Sequence, residues 1–447
     1  MFKRYFSLRR LDLSGQQADQ APALPTYATA VTPAEQGAAH APAVLARVRL
    51  LHVLILGGLT ALGPLSTDMF LPALPAVSQA LSATIAQTQL ALSAGILGMA
   101  LGQALVGPVS DARGRRWPLL IGMAVFAITS LLCVIAPSVG ILIALRFVQG
   151  VAGATGIVLA LAIARDLYAG NTLARCISLL MAINFLAPMV APVIGGQLLI
   201  FTSWRGVFGA LALIGVGLLL TVTFGLGETL PTVRRGRGGV SATFRTFGAL
   251  LADRRFVGYA LTSGFAAAAG IIYISSSPFV LQKIYGLSPL SVSYVFGINA
   301  LGLALMAQVG AKLVGRVSPQ TLLAWGVGAN VMAGVVLLGV VLNGVGLAGV
   351  LAALFVLVAS LGLIFPNSAA LALAKVEAGI AGSASALLGV LQFTFGAVVA
   401  PLVGLAGAVT ATPMATFIAT FGLAALATFV VLCRASEPLA QEQPCPQ

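Results

Sequence analysis

Charge is what this chain lacks. Asp, Glu, Lys and Arg make up 8% of its 447 residues, and the mean hydropathy is +1.04. A soluble globular protein carries roughly a quarter charged residues. A water-facing surface for a fold this long cannot be built from so few, and the composition points to a polytopic helical membrane protein. Metal ligands are equally scarce. The histidines are His40 and His52, and the four cysteines, Cys133, Cys176, Cys433 and Cys445, show neither C-x-x-C nor Cys/His ligand spacing. The expectation is free thiols and no metal. There is no Walker lysine, no H-E-x-x-H and no nucleophile with a partnered base, so the sequence offers no enzyme, no ATPase and no cofactor site. "GVGLAG" (344–349) fits a dinucleotide fingerprint only as a string, because no strand precedes it. The first 48 residues lack the apolar core of a signal peptide and read as a cytosolic tail. Its "MFKRYFSLRRLDL" start could lie on anionic lipid, or it could be a plain disordered tail.

What is present is apolar and periodic in length. A membrane-spanning helix needs about 20 apolar residues. Twelve such runs fit residues 50–433, over 50–76, 86–106, 117–136, 139–161, 175–200, 205–226, 256–281, 291–313, 320–342, 346–370, 382–407 and 411–433. The fold class expected is an all-α membrane protein of two six-helix bundles, 49–226 and 256–433. A linker at 227–255 joins them, and tails lie at 1–48 and 434–447. With the N-terminus placed in the cytosol, 21 of the 24 Lys and Arg residues fall on cytosolic segments. Arg205 and Lys283 remain outside, and Arg146 lies within a span. This asymmetry places both termini inside. It also explains the net charge of +13 through anionic lipid rather than nucleic acid. Within the linker, "ATFRTFGALLADRR" reads as a possible interfacial helix.

The two halves echo one another. "NFLAPMVAPVIGG" (184–196) and "QFTFGAVVAPLVG" (392–404) both end A-P-x-x-G, in the fifth and eleventh spans. Paired breaks of this kind are the trace of a duplicated transporter. "GPVSDARGRRWP" (107–118) links the second and third spans. Gly107 suits close helix approach, Gly114 suits a tight turn, and Arg113, Arg115 and Arg116 hold the inner face with Asp111 as the one acid among them.

On these stretches, with "STDMFLPALP" in the first span, "RFVQGVAG" in the fourth, "IARDLYAG" (163–170) and "GETLP" (227–231), the chain resembles the major facilitator superfamily. Within it, the chain is similar to the drug:proton antiporters of the bicyclomycin/chloramphenicol-resistance type. The second-half counterpart of the loop, "GAKLVGRVSP" (310–319), lacks an acid where Asp111 would align. The resemblance implies alternating access around a central cavity. It implies a cytosolic latch of Gly107, Asp111, Gly114, Arg115 and Arg116, with Asp111 held by a helix N-terminus. It also implies a fifth-span antiporter element of Pro188, Pro192, Gly195 and Gly196, bent and tightly packed. The partners implied are a small molecule, protons and lipid, acting on a monomer in the bacterial inner membrane.

Two ionisable groups lie inside the spans. Asp68 is the lone acid in any long apolar run, and Arg146 lies near the middle of the fourth. At 1.5 Å per residue their depths agree within a few Å, which places them in view of each other across one cavity. Such groups are expensive in lipid and mark transport pathways, although a purely structural ion pair would show the same spacing. Family resemblance also makes Asp68 the proton-coupling acid. Met69, Gln149, Asn184, Tyr273, Asn299, Phe365, Gln392 and Phe395 are the candidates to line an amphiphile-sized cavity. Each polar one singly also suits a helix–helix hydrogen bond. The function expected is proton-coupled efflux of small amphiphilic molecules. Export of one metabolite, uptake by symport, and a non-transporting sensor or scaffold are the alternatives.

Overall fold

The structure is a computed structural model, and it describes residues 50–232, 235, 240–377, 380–405 and 410–434. The tail over 1–48, Cys445, Arg234 and the Gly-rich 236–239 lie outside the described residues. Twelve helical segments are long and apolar enough to cross a membrane. The first is two helices, α1 (Leu50–Asp68) and α2 (Leu74–Ala80), joined by a 3-10 turn at Leu71–Ala73. There follow α3 (Ile85–Arg113), α4 (Arg116–Val134), α5 (Val139–Leu167), α6 (Gly170–Phe201) and α7 (Trp204–Gly225). A short helix, α8 (Val240–Ala252), precedes the second half. That half contains α9 (Arg254–Phe279), α10 (Pro289–Leu313), α11 (Pro319–Leu342), α12 (Leu347–Leu373), α13 (Ala381–Leu405) and α14 (Thr412–Thr428).

The sequence sets these boundaries by capping. Thr84 and Gln87 form a reciprocal capping box at the start of α3. Ser288 and Ser318 each cap a helix whose first residue is proline, where the missing N–H costs nothing. Gly114 (φ +94°) and Gly315 (φ +95°) make the matching turns of the two halves, in a left-handed region that side chains avoid. The helix ends that carry Gly114, Gly315 and most of the arginines form the basic end of the molecule.

Within the first half, α3 lies tightly on α5, and glycines make this possible. A Cβ on Gly98 would collide with the Phe147 carbonyl oxygen, and one on Gly150 with that of Gly95. Between the halves, α3 runs along α13 and α6 along α10. Gly404 fits against Ala86 and Gln89 on the first seam, and Gly196 fits against Ser293 on the second. Hydrogen bonds across the halves gather at the end opposite the basic one. Gln89 Nε2 donates to the Ser275 carbonyl (3.2 Å) and to Ser276 Oγ (3.1 Å), and Gln282 Nε2 donates to the Pro72 carbonyl (3.1 Å). At the basic end α8 packs on α3, α9 and α13. Its Phe247 and Leu250 are buried in one cluster with Ala104 and Leu388. The apolar face expected to lie on lipid therefore lies on protein.

Gly98→Val should force α3 and α5 apart and cost roughly 1–3 kcal/mol of overpacking. Gly209→Ala, where a Cβ meets open space, should be neutral. Thermal unfolding of both variants in detergent checks this; an unchanged midpoint for Gly98→Val would contradict the close approach.

Candidate functional site

The first span breaks where its sequence reads D-M-F-L-P-A-L-P. Pro72 has no N–H to offer the Asp68 carbonyl four residues back, and Pro75 has none for Leu71. Asp68 is accordingly the last residue of α1, and the chain turns through Met69 and Phe70 before α2 begins. The break is held from outside. The Pro72 carbonyl accepts from Gln282, and Gly195 of α6 lies so close that a Cβ there would strike the Met69 carbonyl. An interruption of the α-helical hydrogen bonds at membrane depth persists only where protein or water satisfies the freed groups. Asp68 keeps some accessible surface. Tyr273 is buried and accepts a hydrogen bond from Asn299 Nδ2 at 2.8 Å.

Arg146 does not pair with Asp68: no ion pair joins them among the described residues. It is 1% exposed, and its Nη1 donates to Ser66 Oγ (3.0 Å) and Gln149 Oε1 (2.5 Å). The guanidinium lies over Phe70 and Phe208, 5.2 and 5.8 Å from the ring centroids. Its Nε and Nη2 have no hydrogen-bond partner among the described residues. The depths match as expected, but the faces do not. Ser66 and Phe70 are four apart and share the helix face toward α5. Asp68 is two residues on, about 200° around the helix, and so faces away.

The cavity candidates separate into groups. Phe365 and Gln392 line a cavity of about 500 Å³ between α10, α12 and α13, with Leu303, Gln308, Pro366 and Ser385. No charged side chain lines it. Gln149 is fully buried, bound to Arg146 and, through Nε2, to Ser130 Oγ at 2.6 Å. It belongs to the arginine network and not to a cavity wall. Met69 is fully buried at the break, Tyr273 and Asn299 are buried against each other, and Phe395 packs edge-on to Phe265 at 5.2 Å. Asn184 is partly exposed. In the fifth-span element, α6 continues as helix through Pro188 and Pro192, while Gly195 and Gly196 face the break and α10.

At the basic end, Arg115 organises a cluster. It pairs with Asp111 (2.5 Å) and Asp166 (3.1 Å) and donates to Ser110 Oγ (2.7 Å). Its partners belong to the first half, so in this conformation the cluster fastens α3, α4, α5 and the chain after α7 and does not clasp the two halves. Asp111 lies in the last turn of α3, where a helix dipole disfavours an anion. The carboxylate at the helix N-terminus is Glu228. It accepts the backbone N–H groups of Arg115 (2.9 Å) and Arg116 (3.4 Å) at the start of α4, and those of Thr229 and Leu230. Burial pushes its carboxyl up, but those four N–H donors outweigh burial and hold it below its usual range. Asp166 and Glu228 sit in "IARDLYAG" and "GETLP", stretches whose resemblance was legible while their roles were not. Gly107 has open space where a Cβ would point and makes no close approach. Gly114, with positive φ, turns the chain against Glu228.

Comparison with known proteins gives a consistent result. The Major Facilitator Superfamily profile matches residues 56–401. An uncharacterized MFS-type transporter of Bacillus subtilis, YdgK, is 41% identical over 82% of this chain and 91% of its own. A bicyclomycin resistance protein homolog of Haemophilus influenzae is 30% identical over 81% and 91%. The multidrug resistance protein MdtL of Escherichia coli is 29% identical over 62% and 70%. In fold, the nucleoside transporter NupG superposes with a TM-score of 0.71 at 14% identity, covering 87% of this chain and 99% of that one. The xylose transporter XylE of E. coli gives 0.67 at 11% identity, covering 88% and 98%.

Glu228→Gln should loosen the start of α4 by roughly 1 kcal/mol, a fivefold rise in amide exchange at residues 115–116. Because folding lowers the Glu228 carboxyl, its contribution is full above the ordinary carboxyl range and fades as pH falls through the folded-state value. The protection of these amides, taken relative to their intrinsic exchange rate at each pH, should therefore fall on acidification in wild type, and the variant should lack that step. Exchange unchanged by the substitution would remove Glu228 from the capping role.

Proposed function

The chain belongs to the major facilitator superfamily, and on that premise we propose that it exports small amphiphilic molecules across the bacterial inner membrane in exchange for protons. The basic end faces the cytosol in this reading, since positive charge is retained on that side. The observation that carries the reading is Asp68: the lone acid in any of the long apolar runs, at a break in the first span, and partly accessible. Relatives named for bicyclomycin and multidrug resistance favour export of small molecules.

The cycle follows from charge and access. A protonated Asp68 is neutral and passes through a closed state at little cost. A deprotonated one requires water, a cation or a polar partner. In the conformation described, the halves are bonded together opposite the basic end, so the cavity between α10, α12 and α13 is placed to fill from the cytosolic side. Substrate arrival releases the proton, the halves rock, and the outward state reloads Asp68. One proton moving down about 100 mV supplies roughly 2.3 kcal/mol, more than a tenfold gradient of a neutral molecule. Arg146 keeps a fixed positive charge beside the break through Ser66 and Phe70, and any movement of the break moves both of those partners.

Purified protein should release protons on adding substrate, across a panel of unrelated amphiphiles. Asp68→Asn should abolish release while binding persists, and Arg146→Ala should stall or uncouple exchange. Release for a single compound would instead support a dedicated metabolite exporter. Normal proton exchange by Asp68→Asn would remove that residue from the mechanism.

A further inference from the structure

Two neighbouring cavities at the basic end of the second half share no lining residue with the cavity between α10, α12 and α13. The smaller, about 110 Å³, is lined by Arg255, Lys375 and Asp253, and the larger, about 590 Å³, by Ser318, Thr321, Trp325 and Phe429. They share Tyr259, Gln320 and Cys433 and so are neighbours between the starts of α9 and α11, the end of α12 and the π-helical segment Phe429–Arg434 that follows α14. Along α11 the exposed positions from Thr321 to Val336 are Thr321, Trp325, Gly328, Met332, Val335 and Val336, each three or four residues from another. That stripe is the face of α11 turned away from the bundle, and in a membrane it meets lipid. Thr321 and Trp325 belong to both the stripe and the larger cavity, and Trp325 is 54% exposed.

We infer that this pair of cavities is a binding site for the headgroup phosphate of an anionic phospholipid. The charge is complementary. Arg255 and Lys375 outnumber the one carboxylate of the wall, Asp253, whose Oδ1 accepts the Arg255 backbone N–H at 2.8 Å as the N-cap of α9. The polar wall supplies neutral groups for ester and glycerol oxygens: Tyr259, Gln320 and the Ser318–Thr321 first turn of α11. Trp325 lies six residues into α11, about 9 Å below its start, at the depth where indoles favour the membrane interface. An acyl chain leaving the larger cavity then continues along the apolar stripe of α11. Basic pockets between spans at the cytosolic level are suited to such headgroups. The site touches α9, α11, the residues that end α12 and the segment after α14 together, so an occupant braces the second half without entering the cavity between α10, α12 and α13.

The full-length protein in detergent, titrated with phosphatidylglycerol or phosphatidylcholine of matched chains and read by native mass spectrometry, tests this. Wild type should retain phosphatidylglycerol preferentially. Lys375→Gln and Arg255→Gln should each weaken that binding roughly fivefold and leave phosphatidylcholine unaffected. Lys375 is exposed, so its variant should fold, with the thermal midpoint as control, and it decides the matter even if Arg255→Gln misfolds. Equal retention of the two lipids, or a preference that survives Lys375→Gln undiminished, would overturn the assignment. Displacement of bound lipid by millimolar inorganic phosphate alone would also overturn it, because the site would then read a free phosphate.

Discussion

Much of this molecule depends on one backbone constraint: a chain crossing lipid must satisfy its own carbonyls or have a neighbour satisfy them. Pro72 and Pro75 withhold two N–H groups from the first span, and the helix stops at Asp68. Neighbours then close in. Gln282 reaches the Pro72 carbonyl from the other half, and Gly195 gives the Met69 carbonyl room. An ionisable side chain thus stands at a defect held by both halves. If the halves move, the surroundings of the acid must change, and that is the physical requirement for coupling a proton to a conformational change.

The rest of the first half supports the defect. Gly98 and Gly150 bring α3 and α5 into close contact, which fixes Arg146 behind the break with Ser66, Gln149 and two phenyl rings around it. A cation so enclosed draws on aromatic faces and neutral oxygens in place of a counter-ion. At the basic end, Arg115 gathers Asp111 and Asp166 while Glu228 covers the first amides of α4. These contacts tie the first half into one body that can move as a unit.

The apolar runs and the charge bias were plain in the sequence, because hydropathy and basic loops are local properties. The spans lie where the runs placed them, with α3, α5 and α6 longer by a turn or two that carry polar residues. Asp68 and Arg146 were found because ions are rare in lipid. Their relation was not, since depth can be counted along a chain while the facing side depends on where a helix breaks. The prolines at 72 and 75 carried that information, but averaging hydropathy over 20 residues conceals a three-residue turn. Asp111 drew attention as the acid in a basic loop. Glu228, 113 residues from Arg115, became its partner through tertiary folding alone. Gln149 and Phe395 show the same limit: a polar or aromatic residue in a span looks the same whether it faces a cavity, a neighbouring helix or a buried arginine.

The central claim is that the proton on Asp68 sets which end of the molecule is open. Spin labels at Ile135 and Val345 would report the end opposite the basic one, and labels at Ala112 and Arg316 the basic end, with distances measured across a pH series. The account predicts that the two distances shift in opposite senses with pH in the wild type and stay fixed in Asp68→Asn. A pH response in Asp68→Asn equal to that of the wild type would contradict it.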